Sequence, residues 1–360
     1  MVIALFGAGI VLLVFGADLL VRGAASFAAS LGVSPLIIGL TVVAVGTSSP
    51  EIAVSLQAAF NGQGAITLGN IVGSNIANVM LILGVAAMFG PLPVDRQIFR
   101  RDLPAMIGAS VLTLLLALDQ SLSRVDGVIM LLGLIVYLWV IWPRGVHLSQ
   151  PHPQRAHHHH WRVRVWQVAM MVGGLALLVL GANWLVDSAV TFATWFGVSE
   201  LIIGLTIVAI GTSLPEIATS VIAGMRGERD IAVGNVIGSN VLNLLFVLAL
   251  TMVFSPQPIA VPAETIRLDL PVMVGAALIC VPIFITRRIV SQREGSLLLV
   301  YYLSYTLYLI LSANGSDKLP VYSAVVGLLL VPLTVVLLVV RALRWLGEER
   351  RRKATVSMVE

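Results

Sequence analysis

Two segments of the chain, 165 residues apart, are close copies. "GVSPLIIGLTVVAVGTSSPEIAVSL" (32–56) and "GVSELIIGLTIVAIGTSLPEIATSV" (197–221) agree at 19 of 25 positions. The same offset pairs "GNIVGSNIANVMLIL" (69–83) with "GNVIGSNVLNLLFVL" (234–248), and "FGADLLVRGA" (15–24) with "LGANWLVDSA" (180–189). The chain must therefore build one unit twice. Each copy also sets a proline and a carboxylate, in "GTSSPE" and "GTSLPE", inside an apolar run where neither residue suits a plain helix.

The 360 residues are 58% hydrophobic and 11% charged, against roughly 25% charged in soluble domains. The apolar material falls into stretches of about 20 residues, the length of a helix that crosses a bilayer. Gly, Pro and charge breaks give eleven expected spans: 3–28, 33–60, 65–90, 103–119, 126–142, 165–191, 198–225, 230–254, 268–286, 296–312 and 320–343. The first lacks a basic leader and carries Asp18 and Arg22, so it reads as a retained span and not a cleaved signal. The single cysteine, Cys280, excludes a disulfide framework or a cysteine metal site. The expected class is an all-α membrane protein.

Placing the N-terminus outside and alternating puts 19 of the 22 basic residues at cytoplasmic ends and linkers; only Arg124, Arg267 and Lys318 fall outside. The positive-inside rule is met, so the pI near 9.6 is a topology signal and calls for no nucleic acid. The central linker and the C-terminus are then cytoplasmic. Five spans, an odd number, separate the copies, so the second is inverted. The charges agree: Arg22 becomes Asp187, and the outer turn "NGQG" becomes the inner turn "RGER". The expected division is a first five-helix repeat (1–142), a His/Arg-rich cytoplasmic linker (143–164), a second, inverted five-helix repeat (165–312), and an extra span with a basic tail (313–360). Inverted repeats with broken helices at the midplane are a transporter architecture.

Pro50 and Pro215 remove a backbone donor and disfavour helix at the residue before them. Each span should break there, and in lipid the freed groups need partners. Thr47, Ser48 and Glu51, and then Thr212, Ser213 and Glu216, supply oxygen at the breaks, with the carbonyls of Ala44 and Ala209 one turn earlier. In the next spans Gly69/Gly73 and Gly234/Gly238 form GxxxG pairs that permit close approach. Asn70, Ser74 and Asn78, and their counterparts Asn235, Ser239 and Asn243, form polar stripes four residues apart. Every donor is a hard oxygen, which suits Ca²⁺, Na⁺ or Mg²⁺ and not Cu or Zn. Two intramembrane glutamates with no basic partner are a functional-site expectation in themselves.

The paired "GTSxPE" and "GNxxGSN" motifs resemble the two repeats of the cation/calcium exchanger superfamily, most closely its bacterial sodium/calcium antiporter branch. The resemblance covers residues 1 to about 312 and is densest at 32–86 and 197–251. It implies a secondary antiporter that exchanges Na⁺ for Ca²⁺ by alternating access, with a sliding bundle of the first and sixth helices. The ligands it implies are Thr47, Ser48, Glu51, Ser74, Asn78, Thr212, Ser213, Glu216, Ser239 and Asn243, with main-chain oxygens of Ala44 and Ala209. Na⁺ and Ca²⁺ are the transported ions, and no cofactor is implied. One departure stands out: members of this family often carry aspartate at one of the positions held here by Asn78 and Asn243, and this chain has amides at both. The span at 320–343 has no counterpart in the ten-helix core.

All six histidines lie in 143–164, four of them at 157–160, and read as a solvated linker. Trp139, Trp142, Trp161, Trp166, Trp195 and Trp345 fall near span ends, as interfacial anchors do. Asp18, whose repeat partner is the neutral Asn183, either lines an ion access route or caps a helix contact. The competing functions are exchange of another cation with H⁺ or K⁺ as coupling ion, a cation channel, and an intramembrane enzyme. No histidine lies in any span and no nucleophile is paired with a base, which argues against the enzyme.

Overall fold

The computed structural model describes residues 2–145, 161–196, 209–286 and 288–356. The helices are α1 (Val2–Leu31), α2 (Pro35–Thr47), α3 (Ser49–Phe60), α4 (Gly64–Met88), α5 (Ile98–Asp119), α6 (Arg124–Gly145), α7 (Trp161–Trp195), α8 (Leu214–Met225), α9 (Arg229–Phe254), α10 (Thr265–Ile285), α11 (Gln292–Ala313) and α12 (Leu319–Arg341), whose helix runs on to Val356. Among the described residues eight helices are long and apolar enough to cross a membrane, and the bent pair α2–α3 makes a ninth. The span expected at 198–225 is described only in its second half, as α8. The linker histidines lie outside the described residues.

Several helices outrun the apolar stretches that announce them. The run at 103–119 belongs to a helix that starts at Ile98 and takes in Arg100 and Arg101. The run at 296–312 starts at Gln292, where Ser291 and Glu294 form a capping box. Hydropathy marks the part of a helix in lipid, whereas the hydrogen-bond ladder continues until a cap or a turn replaces it.

The proline break forms as expected. Ser48 has φ −79° and ψ 7°, off the helical values, and Pro50 sits in the first turn of α3. There its missing N–H costs nothing. The axes of α2 and α3 meet at 44°. Ser213 repeats the geometry at φ −88° and ψ 4°, with Pro215 in the first turn of α8.

Among the described spans the polar-stripe helices α4 and α9 are the most buried, whereas α11 and α12 are largely exposed. Close approach makes this possible. A Cβ on Gly238 would lie 2.6 Å from the Leu40 carbonyl oxygen, so α9 meets α2 backbone to backbone. The repeat counterparts of Leu36–Leu40, residues 201–205, lie outside the described residues. Helices α1 and α7 pack antiparallel along their length. A Cβ on Gly16 would sit 2.7 Å from the Gly174 carbonyl oxygen, and one on Gly9 2.9 Å from that of Gly181.

Contacts recur in pairs at a near-constant offset. Two-residue antiparallel clips join Leu92–Pro93 to Ile289–Val290 and Ser121–Leu122 to Ile259–Ala260. Each clip ties a connection in the first half to one in the second. Tyr137 donates to Asp102 at 3.2 Å, and Tyr305 to Asp269 at 2.8 Å. Both aspartates close a π-helical turn, at Ile98–Asp102 and Thr265–Asp269. The signal for this second likeness is "DLPAMIGA" (102–109) against "DLPVMVGA" (269–276). At an offset of 167 instead of 165 it is out of step with the better-matched segments.

Candidate cation site

The two breaks meet the two polar stripes at the centre of the molecule. Glu51 and Glu216 lie in the first turns of α3 and α8 and are 1% and 0% exposed. The C-terminal end of α2 reaches the same point, so carbonyl dipoles of one half-helix point at the break that the next begins.

Hydrogen bonds cross between the copies. Ser48 Oγ donates to Glu216 Oε1 at 3.1 Å. On the other side Ser213 Oγ donates to Ser74 Oγ at 3.2 Å, and Ser74 Oγ to Glu51 Oε1 at 3.4 Å. Thr47 Oγ1 donates to Asn235 Oδ1 at 3.2 Å and Thr212 Oγ1 to Asn70 Oδ1, also at 3.2 Å. Asn70 and Asn235 in turn donate to Ser55 Oγ at 2.9 Å and Ser220 Oγ at 3.0 Å. The stripe therefore divides by role. Its first asparagine is a strut that fixes a threonine hydroxyl of the opposite copy. Spacing alone placed Asn70 and Asn235 on the stripe but did not show that both ends of their amides are engaged within the protein.

The other stripe members are different. Asn78 and Asn243 are buried, and among the described residues neither their amide oxygens nor their nitrogens have a partner. Glu51 Oε2, Glu216 Oε2 and Ser239 Oγ are likewise buried and unpartnered. Buried polar atoms are nearly always paired, and seven of the unpaired ones among the described residues belong to these five side chains. Each stripe asparagine opens a π-helical turn, Asn78–Ile82 and Asn243–Leu248, a device frequent at functional sites and invisible to hydropathy. Asn75 and Asn240 point off the stripe and donate to their own helices, at Ile71 and Val236.

The expected carbonyls are less uniform. The Ala44 carbonyl accepts the Ser48 N–H at 3.0 Å, and the Thr47 hydroxyl, whose one proton goes to Asn235, lies 3.4 Å from it. In the second copy the Ser213 N–H goes to Ile210, three residues back, and not to Ala209. Proline at 50 removes the donor that the Gly46 carbonyl would otherwise receive. Thr212 is only half-buried, whereas Thr47, Ser48, Ser74, Ser213 and Ser239 are buried. Among the described residues no three His, Cys, Asp or Glu side chains converge. Oxygens of this kind, carboxylate, amide, hydroxyl and carbonyl, are the donors that suit a cation preferring hard oxygen.

Comparison with known proteins gives the same direction. A family model described as "Sodium/calcium exchanger protein" matches residues 1–142 and 166–311. The putative antiporter CaxA of Alkalimonas amylolytica is 40% identical over 316 residues, covering 85% of this chain and 97% of the relative. The sodium/calcium exchanger MaX1 of Methanosarcina acetivorans is 32% identical over 338 residues, covering 84% and 96%. Solved structures of the sodium-calcium exchanger NCX_Mj superpose with a TM-score of 0.72 at 30% identity, over 84% of this chain and 96% of that one.

Proposed function

The chain belongs to the sodium/calcium exchanger protein family, and on that premise we propose that it exchanges Na⁺ for Ca²⁺ across the inner membrane by alternating access. The observation that carries the reading is the set of unpartnered, buried oxygens contributed by both copies: Glu51 Oε2, Glu216 Oε2, Asn78 Oδ1, Asn243 Oδ1 and Ser239 Oγ. Two carboxylates in a lipid-embedded core, with no arginine or lysine among their hydrogen-bond partners, are costly unless a cation neutralises them. The ligands are these five residues with Thr47, Ser48, Ser74, Thr212 and Ser213, and the main-chain oxygens of Ala44 and Ala209.

The architecture proposed is two five-helix repeats, 1–142 and 165–312, of opposite orientation, followed by the extra span in 313–360. The N-terminus lies outside, and the linker 143–164 and the C-terminus are cytoplasmic. The paired contacts support the inversion. One clip joins the α4–α5 and α10–α11 connections, the other the α5–α6 and α9–α10 connections. Alternating spans put the members of each clip on the same side and the two clips on opposite sides.

Everted membrane vesicles test the function. Radiocalcium should accumulate when a sodium gradient is imposed and stop when it is dissipated. Two neutral amides at the central positions also favour a second reading, with H⁺ or K⁺ as the coupling ion. Calcium movement that follows a pH or potassium gradient and ignores sodium would select it. No calcium movement under any gradient would remove both.

A further inference from the structure

Asp18 on α1 is shared between two arginines. Its Oδ2 lies 2.9 Å from Arg22 Nη2, one turn along the same helix, and its Oδ1 pairs with Arg226, just past the end of α8. The carboxylate is half-buried, in a recess with Val14, Phe15, Ile222 and Met225. The pair thus bridges the α1/α7 unit and the helix that carries Glu216.

The repeat offset supplies the comparison. Asp18 corresponds to Asn183, Arg226 to Asn61, and Arg22 to Asp187. The counterpart of the Asp18–Arg226 ion pair is therefore a pair of neutral asparagines at the other face, both exposed. Packing is equally one-sided. Helix α1 lies along α8, and Ala223 is buried in one cluster with Leu13, Ala17 and Leu20. Among the described residues α7 makes no matching packing on α3. The coverage follows: Ala218 and Ile222 are half-buried where their counterparts Ala53 and Gln57 are exposed, and Pro215 is buried where Pro50 is not.

In a pair of inverted repeats the two end states are related by exchanging the roles of the copies, so a contact in one state is replaced by its counterpart in the other. From this asymmetry, and resting on the exchanger reading for its direction of access, we infer that the Asp18–Arg226 pair is a one-sided latch. It holds α1 against α8 at the face bearing Arg22 and Arg226. With only Asn183 and Asn61 at the opposite face, it sets the resting protein with its cytoplasmic side closed. Arg22 makes release cheap. When α1 leaves α8, Asp18 keeps the arginine on its own helix, so no carboxylate is stranded in the apolar recess. A partly exposed pair shifts a two-state population by up to about fivefold, a bias that still allows turnover.

The test reads conformation separately from transport. In a Cys280→Ala background, Ala223→Cys reports the α1–α8 contact, and Gln57→Cys, at the exposed counterpart of the recess residue Ile222, reports the opposite face. A membrane-impermeant maleimide is applied to the cytoplasmic face of inverted vesicles for the first and to the outer face for the second. Asp18→Asn and Arg226→Asn should each raise labelling at 223 about two- to fivefold and leave labelling at 57 unchanged or lower. The exchanged pair Asp18→Arg with Arg226→Asp should return 223 to the parent rate. Parent-like labelling at 223 in Asp18→Asn, no restoration in the exchanged pair, or a rise at both cysteines would overturn the latch, the last because it signals general loosening. Shifted labelling in a protein that moves no calcium would leave the latch standing and count against the exchanger reading alone.

Discussion

Ser48 Oγ donates to Glu216 Oε1 at 3.1 Å, so a hydroxyl at the first helix break orients the carboxylate at the second, 168 positions away. The bond leaves Glu216 Oε2 free of protein partners and fixed in direction. A ligand oxygen held this way needs little reorganisation when an ion arrives, and it ties the geometry of one copy to that of the other.

Replacing either glutamate with glutamine keeps shape and hydrogen bonding but removes a charge that the ion requires on losing its water. Breaking a buried charge pair costs about 3–5 kcal/mol, enough to weaken ion binding by more than about 100-fold. Glu51→Gln and Glu216→Gln should each abolish sodium-driven radiocalcium flux, while size-exclusion profiles in detergent match the parent. Near-normal flux in either variant would remove that glutamate from the site.

The threonine struts make a sharper distinction. Thr47→Val preserves volume but leaves Asn235 Oδ1 without its donor, at a cost of about 1–3 kcal/mol. Thr47→Ser keeps the donor. Flux should fall roughly tenfold in the valine variant and stay within about twofold in the serine variant, since the strut works through the hydroxyl. Equal loss in both would show that the methyl group, and so packing, is what matters.

The residues gathered at the candidate site were easier to read from the sequence than the scaffold that holds them. Glu51, Ser74, Asn78 and their counterparts are readable because polar residues deep in apolar runs have no lipid-facing excuse, and because they occur twice. The proline breaks follow from local chemistry at 50 and 215. What was hidden depends on tertiary contact. Nothing in the spacing of Asn70 shows that Thr212 and Ser55 engage both ends of its amide whereas the Asn78 amide is not engaged among the described residues. Asp18 was legible as an odd charge, but its partner Arg226 is 208 residues away and was readable only as an inner-face basic residue. The π-helical turns at Asn78 and Asn243 leave hydropathy unchanged, so a hydropathy reading passes over them.

The clips offer a test of how the halves meet. Pro93 and Ile289 are paired across an antiparallel ladder, where Cα separations of about 4.5–5.5 Å lie within disulfide reach. In a Cys280→Ala background, Pro93→Cys with Ile289→Cys should oxidise readily. With a protease site placed in the linker 143–164, the cleaved halves should then migrate together until reduced. Separate fragments without reductant would mean that the connections are not neighbours.

Helix α12 lies beyond the matched family region, which stops at residue 311. It is fixed by Arg341, 3.1 Å from the buried Glu294, and by hydrogen bonds of Tyr322 with Ser304 and of Tyr301 with the Leu330 carbonyl. Arg341 is 44% exposed at its side chain, so the ion pair contributes no more than about 1 kcal/mol. Ending the chain after Ala313 should lower the melting temperature by several degrees while sodium-driven flux per folded molecule persists. Loss of flux in a truncated protein that remains monodisperse would show that α12 takes part in transport.

The two amides allow the site and the scaffold to be told apart by opposite signs. Asn78 and Asn243 are buried, and among the described residues neither their oxygens nor their nitrogens have a partner. Each such residue costs the folded protein about 1–3 kcal/mol in lost hydration, and an apolar residue of similar size removes that cost. Asn78→Leu and Asn243→Leu should therefore melt at a higher temperature than the parent in sodium- and calcium-free buffer. The same change deletes a ligand oxygen. The rise in melting temperature that added calcium gives the parent should shrink in both variants, and flux should fall at least about tenfold as coordination is lost. Greater stability with less transport is the signature of a residue kept for what it binds. A lower melting temperature in ion-free buffer would mean that the amides are satisfied structurally. Unchanged flux and an unchanged calcium response would move the ion away from the polar stripes, leaving the broken helices alone to hold it.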